Sequence, residues 1–206
     1  MAEGLVYFTV DIESRGDSAH SNGIVSIGVC ISTDEVVLEK RRFDLAPLPG
    51  QVFEQRCLNE FWHRNDEMRQ LLALLQANPM PPLEGIIAFR ALLDRYANPV
   101  ILSDNVGYDT AFINYYLELA GLPSLRYDAT RTSYRPIFDT DSYARGATGM
   151  DYATSLWTSD SEVTKILGLS ADRVPNKDEL HDHMPENDAE YIWRMHMAVV
   201  KAAKRK

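Results

Sequence analysis

The sequence contains little cysteine and no long apolar run. Its 206 residues include two cysteines, Cys30 and Cys57, whose spacing fits no metal or redox motif, so we expect free thiols in a reducing compartment. No apolar run approaches the roughly 18–20 residues of a membrane helix. The first residues also lack the basic region and cleavage site of a signal peptide. We therefore expect a cytoplasmic protein that is not secreted and has no membrane partner.

Positive charge is also scarce. The chain has 21 basic and 30 acidic residues, which gives a net charge of −9. A broad basic face, which normally gives a protein its grip on nucleic acid, is therefore not expected. Apolar residues make up 45% and charged residues 25%, which is typical of a globular protein. The length suits one domain spanning residues 1–206.

The order of apolar patterns predicts the fold class. Segments 5–12, 23–32 and 35–43 are rich in β-branched or alternating apolar residues and predict an antiparallel meander. Helices are predicted at 65–77, 84–97, 109–120, 161–167 and 185–204, and short strands at 99–103 and 137–140. A meander followed by alternating helices and strands predicts an α/β fold. We expect a mixed sheet, with an antiparallel part and a parallel part and helices on both faces.

Two carboxylates lie on one face of the first predicted strand. Asp11 and Glu13 are two residues apart, so their side chains point the same way. An exposed edge strand could carry such a pair at little cost. However, the preceding residues are apolar on both faces, which favours an interior strand, where paired carboxylates usually need a cation.

Two more carboxylates begin predicted helices. Asp109 and Asp188 each precede a helical stripe of apolar residues. This places each carboxylate in the first turn of its helix, on the face that packs inward. The alternative is an ordinary first-turn acid that stabilises the helix dipole. Four carboxylates without cysteine favour Mg²⁺ or Mn²⁺, and two such ions would bring +4 to an acidic protein. Asp182 and Glu186 lack this alignment, and we expect them to be solvated.

Three motifs resemble those of the DEDDh 3′–5′ exonucleases, a family of the DnaQ-like, ribonuclease H-like superfamily. The family's D-x-E resembles "VDIES", its N-x-x-[FY]-D resembles "NVGYD", and its H-x-x-x-x-D resembles "HMPEND". The motifs occur in the family's order and together cover about residues 5–200. One departure is Ser14, where the family often has threonine. Met184 stands where a tyrosine subgroup of the superfamily would place its tyrosine, which argues against that subgroup.

The resemblance implies a metal-dependent 3′–5′ exonuclease that uses two divalent cations, Mg²⁺ or Mn²⁺. Asp11 would be shared by both ions, Glu13 and Asp188 would bind the nucleophile-side ion, and Asp109 the leaving-group-side ion. His183 would be the general base that takes a proton from the attacking water. The partner would be the 3′ end of single-stranded DNA or RNA, and the product a nucleoside 5′-monophosphate. Many members of the family are dimers, so a homodimer is one of the oligomeric states that the resemblance allows.

Several residues near the motifs are candidates for substrate contact. Ser14 and Arg15 follow the first motif and could touch the terminal sugar, or they could form a plain loop. Trp62 and Tyr108 could stack on bases or pack in the core, and Asn105 could fix its own loop. We expect Phe61 in the core and His181 at the surface, with His181 as the second candidate for the base. The alternative functions are a catalytically silent binding module, a nuclease restricted to dinucleotides or short oligonucleotides, and a phosphatase.

Overall fold

A five-stranded mixed sheet forms the centre of the molecule. The computed structural model describes residues 5–170, 174–176 and 180–204. The strands lie in the order β3-β2-β1-β4-β5. They are β1 (Tyr7–Ser14), β2 (Ile24–Ser32), β3 (Val37–Asp44), β4 (Val100–Ser103) and β5 (Ile137–Asp139). The first three pair antiparallel, and β4 and β5 continue the sheet in parallel. The predicted mixed sheet is therefore confirmed, and β1 is an interior strand.

Helical segments connect and cover the strands. They are α1 (Gln55–Cys57), which continues into a π-helical turn (Leu58–Trp62), α2 (Asp66–Leu75), α3 (Pro82–Asp94), α4 (Val106–Leu119), α5 (Thr140–Ala147), α6 (Tyr152–Trp157), α7 (Asp160–Ile166) and α8 (Pro185–Ala203). The five predicted helices correspond to α2, α3, α4, α7 and α8. The unpredicted segments are short and carry no sustained apolar stripe. Within the described residues, no helix is long and apolar enough to cross a membrane.

The two faces of β1 pack against different helices. Phe8, Val10 and Ile12 lie in the main core with apolar side chains of α3 and α4. Tyr7, on the opposite face, packs with Trp193 and Met197 of α8. Because side chains alternate along a strand, Asp11 and Glu13 lie on the α8 face. The sheet is thus covered on both sides, as predicted, and both β1 carboxylates face one helix.

Gly28 allows α8 to approach the sheet closely. It pairs with Asp11 across β1 and β2. A Cβ atom at Gly28 would lie 1.9 Å from the carbonyl carbon of Pro185, at the start of α8. Glycine is therefore the residue that lets backbone pack on backbone here. The contact sets the first turn of α8 beside Asp11.

Contacts with β3 and the β2–β3 turn also hold α8 in place. Lys40 forms an ion pair with Glu190 at 2.9 Å, and Arg42 forms one with Glu186 at 3.3 Å. The indole Nε1 of Trp193 donates to the carbonyl oxygen of Thr33 at 3.1 Å. Glu186 was expected to be solvated, and this expectation is wrong because Arg42 on the neighbouring strand draws it onto the sheet.

Both cysteines are free thiols. Cys30 is buried in β2, and Cys57 is half-buried at the end of α1. Burial raises the pKa of Cys30 to about 12 and that of Cys57 to about 11. Since the thiolate is the reactive form, neither thiol is activated.

Candidate metal centre and active site

The structure brings the five residues of the three motifs together. Glu13, His183 and Asp188 form one group whose potential ligand atoms all lie within 4.8 Å of one another. Asp11 and Asp109 belong to a second such group. Asp11 and Glu13 project from the same face of β1, so the two groups adjoin. Residues far apart in sequence thus meet from β1, α4, α8 and the segment just before α8, which carries His183.

Each helical carboxylate reaches the site from a first turn. Asp109 lies in the first turn of α4, where Phe112, Ile113 and Tyr116 continue its buried face. Asp188 lies in the first turn of α8, after Pro185 at the first helical position. Both carboxylates are buried, as their apolar stripes predicted. The helix N-termini favour negative charge at these positions.

The site concentrates negative charge that water does not solvate. Loss of solvation raises the pKa of Asp11 well above its usual value, and the charges of Asp109 and Glu13 raise it further. Burial raises the pKa of Asp109 to about 8, although a hydrogen bond from Ser103 opposes the shift. Burial also raises the pKa of Glu13, and His183 offsets this only in part. The fold therefore carries carboxylates whose ionised forms the protein compensates only in part.

This donor set fits hard divalent cations. The Oδ1 atom of Asp188 is buried and accepts no hydrogen bond within the described part of the chain, although Nδ1 of His181 lies 3.1 Å away. A buried carboxylate oxygen without a hydrogen-bond donor is costly unless a cation or a water satisfies it. Carboxylate oxygens without thiolates suit Mg²⁺ or Mn²⁺. The residues present thus fit the metal pair that the resemblance implies.

His183 lies at the rim of the acidic cluster in a left-handed backbone conformation, with φ of 61°. Its Nδ1 atom is 3.7 Å from Oε1 of Glu13 and 3.9 Å from Oδ2 of Asp188. Its Nε2 atom is 2.9 Å from Nη2 of Arg64, and its ring meets Phe61 edge to face with centroids 5.2 Å apart. Histidine tolerates the left-handed region better than most residues, at a cost of about 1–3 kcal/mol. The contacts with Arg64 and Phe61 therefore keep the His183 ring beside Glu13 and Asp188.

Asp104, which the sequence did not single out, and His181, the second candidate for the base, also lie in the site. Asp104 joins Asp11 and Asp109 within 4.8 Å. His181, expected at the surface, instead places Nδ1 3.1 Å from Oδ1 of Asp188 and stacks on Tyr191 with centroids 5.5 Å apart. The expectation for His181 was wrong because Asp188 and Tyr191 of α8 hold its ring against the helix. Asp182, between the two histidines, is exposed as expected.

Two of the predicted substrate contacts are wrong because the residues are buried. Arg15 is 1% exposed, and its guanidinium donates to the carbonyl oxygens of Ile24 and Leu45. Trp62 is fully buried, and its Nε1 donates to the carbonyl oxygen of Ser14 at 2.9 Å. Neither side chain can reach a substrate without leaving the core.

The remaining substrate candidates differ in accessibility. Ser14 is buried, and its hydroxyl donates to the carbonyl oxygen of Gly16 and lies 2.6 Å from the hydroxyl of Tyr108, so a sugar contact is not supported. Tyr108 is half-buried against Phe112 and remains a candidate base platform. Asn105 is exposed beside Asp104.

Of two neighbouring aromatic residues, Phe61 departs from the prediction, whereas Trp62 follows the core alternative that was left open for it. Phe61, expected in the core, is half-exposed beside His183, while Trp62 is buried. Both lie in the π-helical turn, in which His63 donates to Leu58 at 2.8 Å. No helix is predicted over this short turn, so no periodic pattern indicates which of the two side chains is buried.

A cleft of about 510 Å³ adjoins the metal-ligand cluster. Asp104 and Asn105 lie at one side, and residues of α5, α7 and α8 form the rest, including the buried His196. The cluster therefore opens into a space large enough for a molecule bigger than a metal ion and its waters.

Known structures share this fold. No protein-family model and no curated protein sequence matches the chain. E. coli exonuclease I in complex with a dT13 oligonucleotide matches with a TM-score of 0.66 and 13% identity, over 98% of this chain and 42% of that one. The zinc-bound form of the E. coli exonuclease I–single-stranded DNA complex matches with a TM-score of 0.62 and 15% identity, over 98% and 41%. The chain thus spans about two fifths of these chains and has their ribonuclease H-like fold.

Proposed function

We propose that this chain is a metal-dependent 3′–5′ exonuclease domain of the DEDDh family. The substrate would be single-stranded DNA or RNA, and the product a nucleoside 5′-monophosphate. One observation carries the proposal: Asp11, Glu13, Asp109, Asp188 and His183 come together in two adjoining groups at the C-terminal end of β1. A fold shared with an exonuclease that binds single-stranded DNA supports it. The proposal takes residues 1–206 as one domain.

Two groups of carboxylates would hold the ions. Glu13 and Asp188 would bind one ion on the side nearer His183, and Asp109 with Asp104 would bind the other. Asp11, placed between the two groups, would serve both. A bound pair of Mg²⁺ or Mn²⁺ offsets the repulsion among these carboxylates, lowers the pKa of water and stabilises the attacking and leaving oxygens.

His183 would accept the proton of the attacking water. Its Nδ1 atom faces Glu13 and Asp188, so a water held between these carboxylates would lie within its reach. An imidazole is suited to this task near neutral pH. Water would attack the terminal phosphorus, and the 3′-oxygen of the preceding nucleotide would leave. His181, in contact with Asp188, would help to orient that carboxylate.

Local charge explains how an acidic protein would bind a polyanion. The chain's net charge of −9 disfavours broad electrostatic binding. The metal pair would concentrate positive charge where the terminal phosphate arrives. The cleft beside Asp104 and Asn105 would accommodate nucleotides that precede the terminal one. Binding would therefore depend on the metal more than on surface lysines and arginines.

Product analysis tests the proposal directly. Matched single-stranded DNA and RNA oligonucleotides, dinucleotides and a phosphomonoester would be incubated with Mg²⁺, with Mn²⁺, or with a chelator. We expect stepwise release of nucleoside 5′-monophosphates from the 3′ end, with metal only. Asp11→Ala should abolish release, whereas Asp66→Ala, which removes an exposed carboxylate of α2, should not.

The outcomes separate the alternatives. Binding of an oligonucleotide by the wild-type protein with no hydrolysis of any substrate would favour the silent binding module. Hydrolysis confined to dinucleotides would restrict the substrate class, and release of phosphate from the monoester would favour a phosphatase. Absence of both binding and hydrolysis would refute the proposal.

A further inference from the structure

Arg64 lies against the residue that we assign as the general base. Its Nη2 atom is 2.9 Å from Nε2 of His183, and its guanidinium lies over the Phe61 ring, 5.2 Å from the centroid. The Arg64 side chain is exposed, so it can change rotamer without disturbing the core. A mobile cation is thus placed at the entrance of an acidic site.

Most exposed arginines in the described part of the chain lie beside a carboxylate, whereas Arg64, Arg126 and Arg131 do not. Arg41, Arg56, Arg69 and Arg95 each form an ion pair with a carboxylate. Over the described ranges, no carboxylate lies within ion-pair distance of Arg64, although the protein has an excess of acids. The charge of Arg64 is therefore not neutralised by a neighbouring acid, and its guanidinium is available to bind an anion.

The contact also determines which nitrogen of neutral His183 carries the proton. A guanidinium can only donate hydrogen bonds, so Nε2 of His183 must be the acceptor. The ring proton then lies on Nδ1, the nitrogen that faces Glu13 and Asp188. In this arrangement His183 cannot accept a proton from a water held by these two carboxylates. The free protein therefore has its base in the wrong tautomer for catalysis.

We propose that Arg64 binds a phosphate of the nucleic-acid strand and, in doing so, releases His183 for catalysis. The inference rests on the proposed function. Guanidinium groups bind phosphate with two parallel hydrogen bonds, which are stronger than a bond to a neutral imidazole. A strand entering the site would draw Arg64 away from Nε2, and the ring could then carry its proton there. Substrate binding and activation of the base are coupled through one side chain.

Steady-state kinetics on a single-stranded oligonucleotide with Mg²⁺ or Mn²⁺ provide the first test. Arg64→Ala should raise KM about ten- to a hundredfold, the range expected for one hydrogen bond to a charged group, and leave kcat within about threefold. Arg64→Lys keeps the charge without the planar fork and should give an intermediate KM. Arg69→Ala, which removes another exposed arginine nearby in sequence, is the matched control and should leave both constants unchanged.

Replacing single linkages by an uncharged methylphosphonate provides the second test. Each of the linkages preceding the cleaved one would be replaced in turn, and KM measured for the wild-type protein and for Arg64→Ala. At one position the replacement should weaken binding by the wild-type protein but have no further effect in the variant. That position identifies the phosphate that Arg64 contacts.

Two results would overturn the inference. One is a KM for Arg64→Ala equal to that of Arg69→Ala. The other is a drop in kcat of about a hundredfold at unchanged KM, which would mean that Arg64 only positions His183. In both cases the wild-type protein still hydrolyses nucleic acid, so the proposed function stands. Failure of the wild-type protein to act on any strand would instead refute the proposed function itself.

Discussion

Replacing Gly28 with alanine should displace the helix that completes the site. The added Cβ would lie 1.9 Å from the carbonyl carbon of Pro185, 2.0 Å from its oxygen and 2.3 Å from the nitrogen of Glu186. All three are backbone atoms that cannot rotate away. Ordinary contact begins near 3.4 Å, so the start of α8 must retreat by 3.4 − 1.9, or roughly 1.5 Å. Asp188 and the preceding His183 would move with it.

The effect on rate should be larger than the effect on stability. A displacement of about 1 Å at a catalytic constellation can cost about a hundredfold in rate, so we expect kcat/KM to fall by at least about that factor. Overpacking typically costs about 1–3 kcal/mol. For a chain of this size, each kcal/mol lowers the melting temperature by about 2–4 °C. The variant should therefore remain folded at assay temperature.

The assay compares initial rates of mononucleotide release with thermal unfolding of the same preparations. Gly146→Ala is the matched control, because Gly146 lies in α5 with nothing within 4 Å of an added Cβ. It should keep full activity and gain about 0.5–1 kcal/mol of stability from helix propensity. A Gly28→Ala protein with activity within about threefold of wild type would refute the idea that this contact sets the catalytic distance.

Three other perturbations test the site. Asp11→Ala and His183→Ala should each lower kcat by at least about a hundredfold, the effect of losing a metal ligand or a general base; near-normal turnover of His183→Ala would remove it as the base. Between pH 4 and pH 8 Asp109 binds a proton in the folded chain and not in the unfolded one, because burial raises its pKa to about 8. The free energy of unfolding of the metal-free protein should therefore fall as pH rises through this window. Mn²⁺ should raise the melting temperature more at pH 8 than at pH 6. An equal rise at the two pH values would contradict this. Trp62→Phe should cost about 1–3 kcal/mol of stability, because the carbonyl oxygen of Ser14 loses a buried hydrogen bond. Its KM should not change, and a raised KM with unchanged melting temperature would restore the stacking role.

Periodicity predicted the faces on which the carboxylates lie, and the three motifs then grouped them into one site. The two-residue spacing of Asp11 and Glu13 fixes their common face whatever the rest of the fold does. Asp109 and Asp188 were identified by the apolar stripes that follow them, and both are buried as those stripes require. In each case the evidence is local, because the spacing of apolar residues along a strand or helix indicates which of its faces is buried.

Irregular segments carried no such signal. Arg15 follows β1 directly, and nothing in the sequence shows that carbonyl oxygens of Ile24 and Leu45 would surround it. Phe61 and Trp62 lie in a short π-helical turn over which no helix is predicted, so no periodic pattern indicates which ring is buried. His181 reaches Asp188 through a loop whose path depends on tertiary contacts. Asp104 was recognisable in principle, since it follows β4, which runs parallel to β1 and ends at the same edge.

The position of α8 would tie the proposed activity to a long-range step of folding. Trp193 bonds to Thr33 across 160 residues of chain, whereas β1, β2 and β3 find their partners close by in sequence. Closing a long loop costs more chain entropy than closing a short one. We therefore expect the β1–β3 meander to form before α8 docks on it. Until it docks, β1 presents its carboxylates without Asp188. The rate at which hydrolysis recovers during refolding would therefore report the docking of α8. Formation of the sheet would be followed by a separate spectroscopic signal.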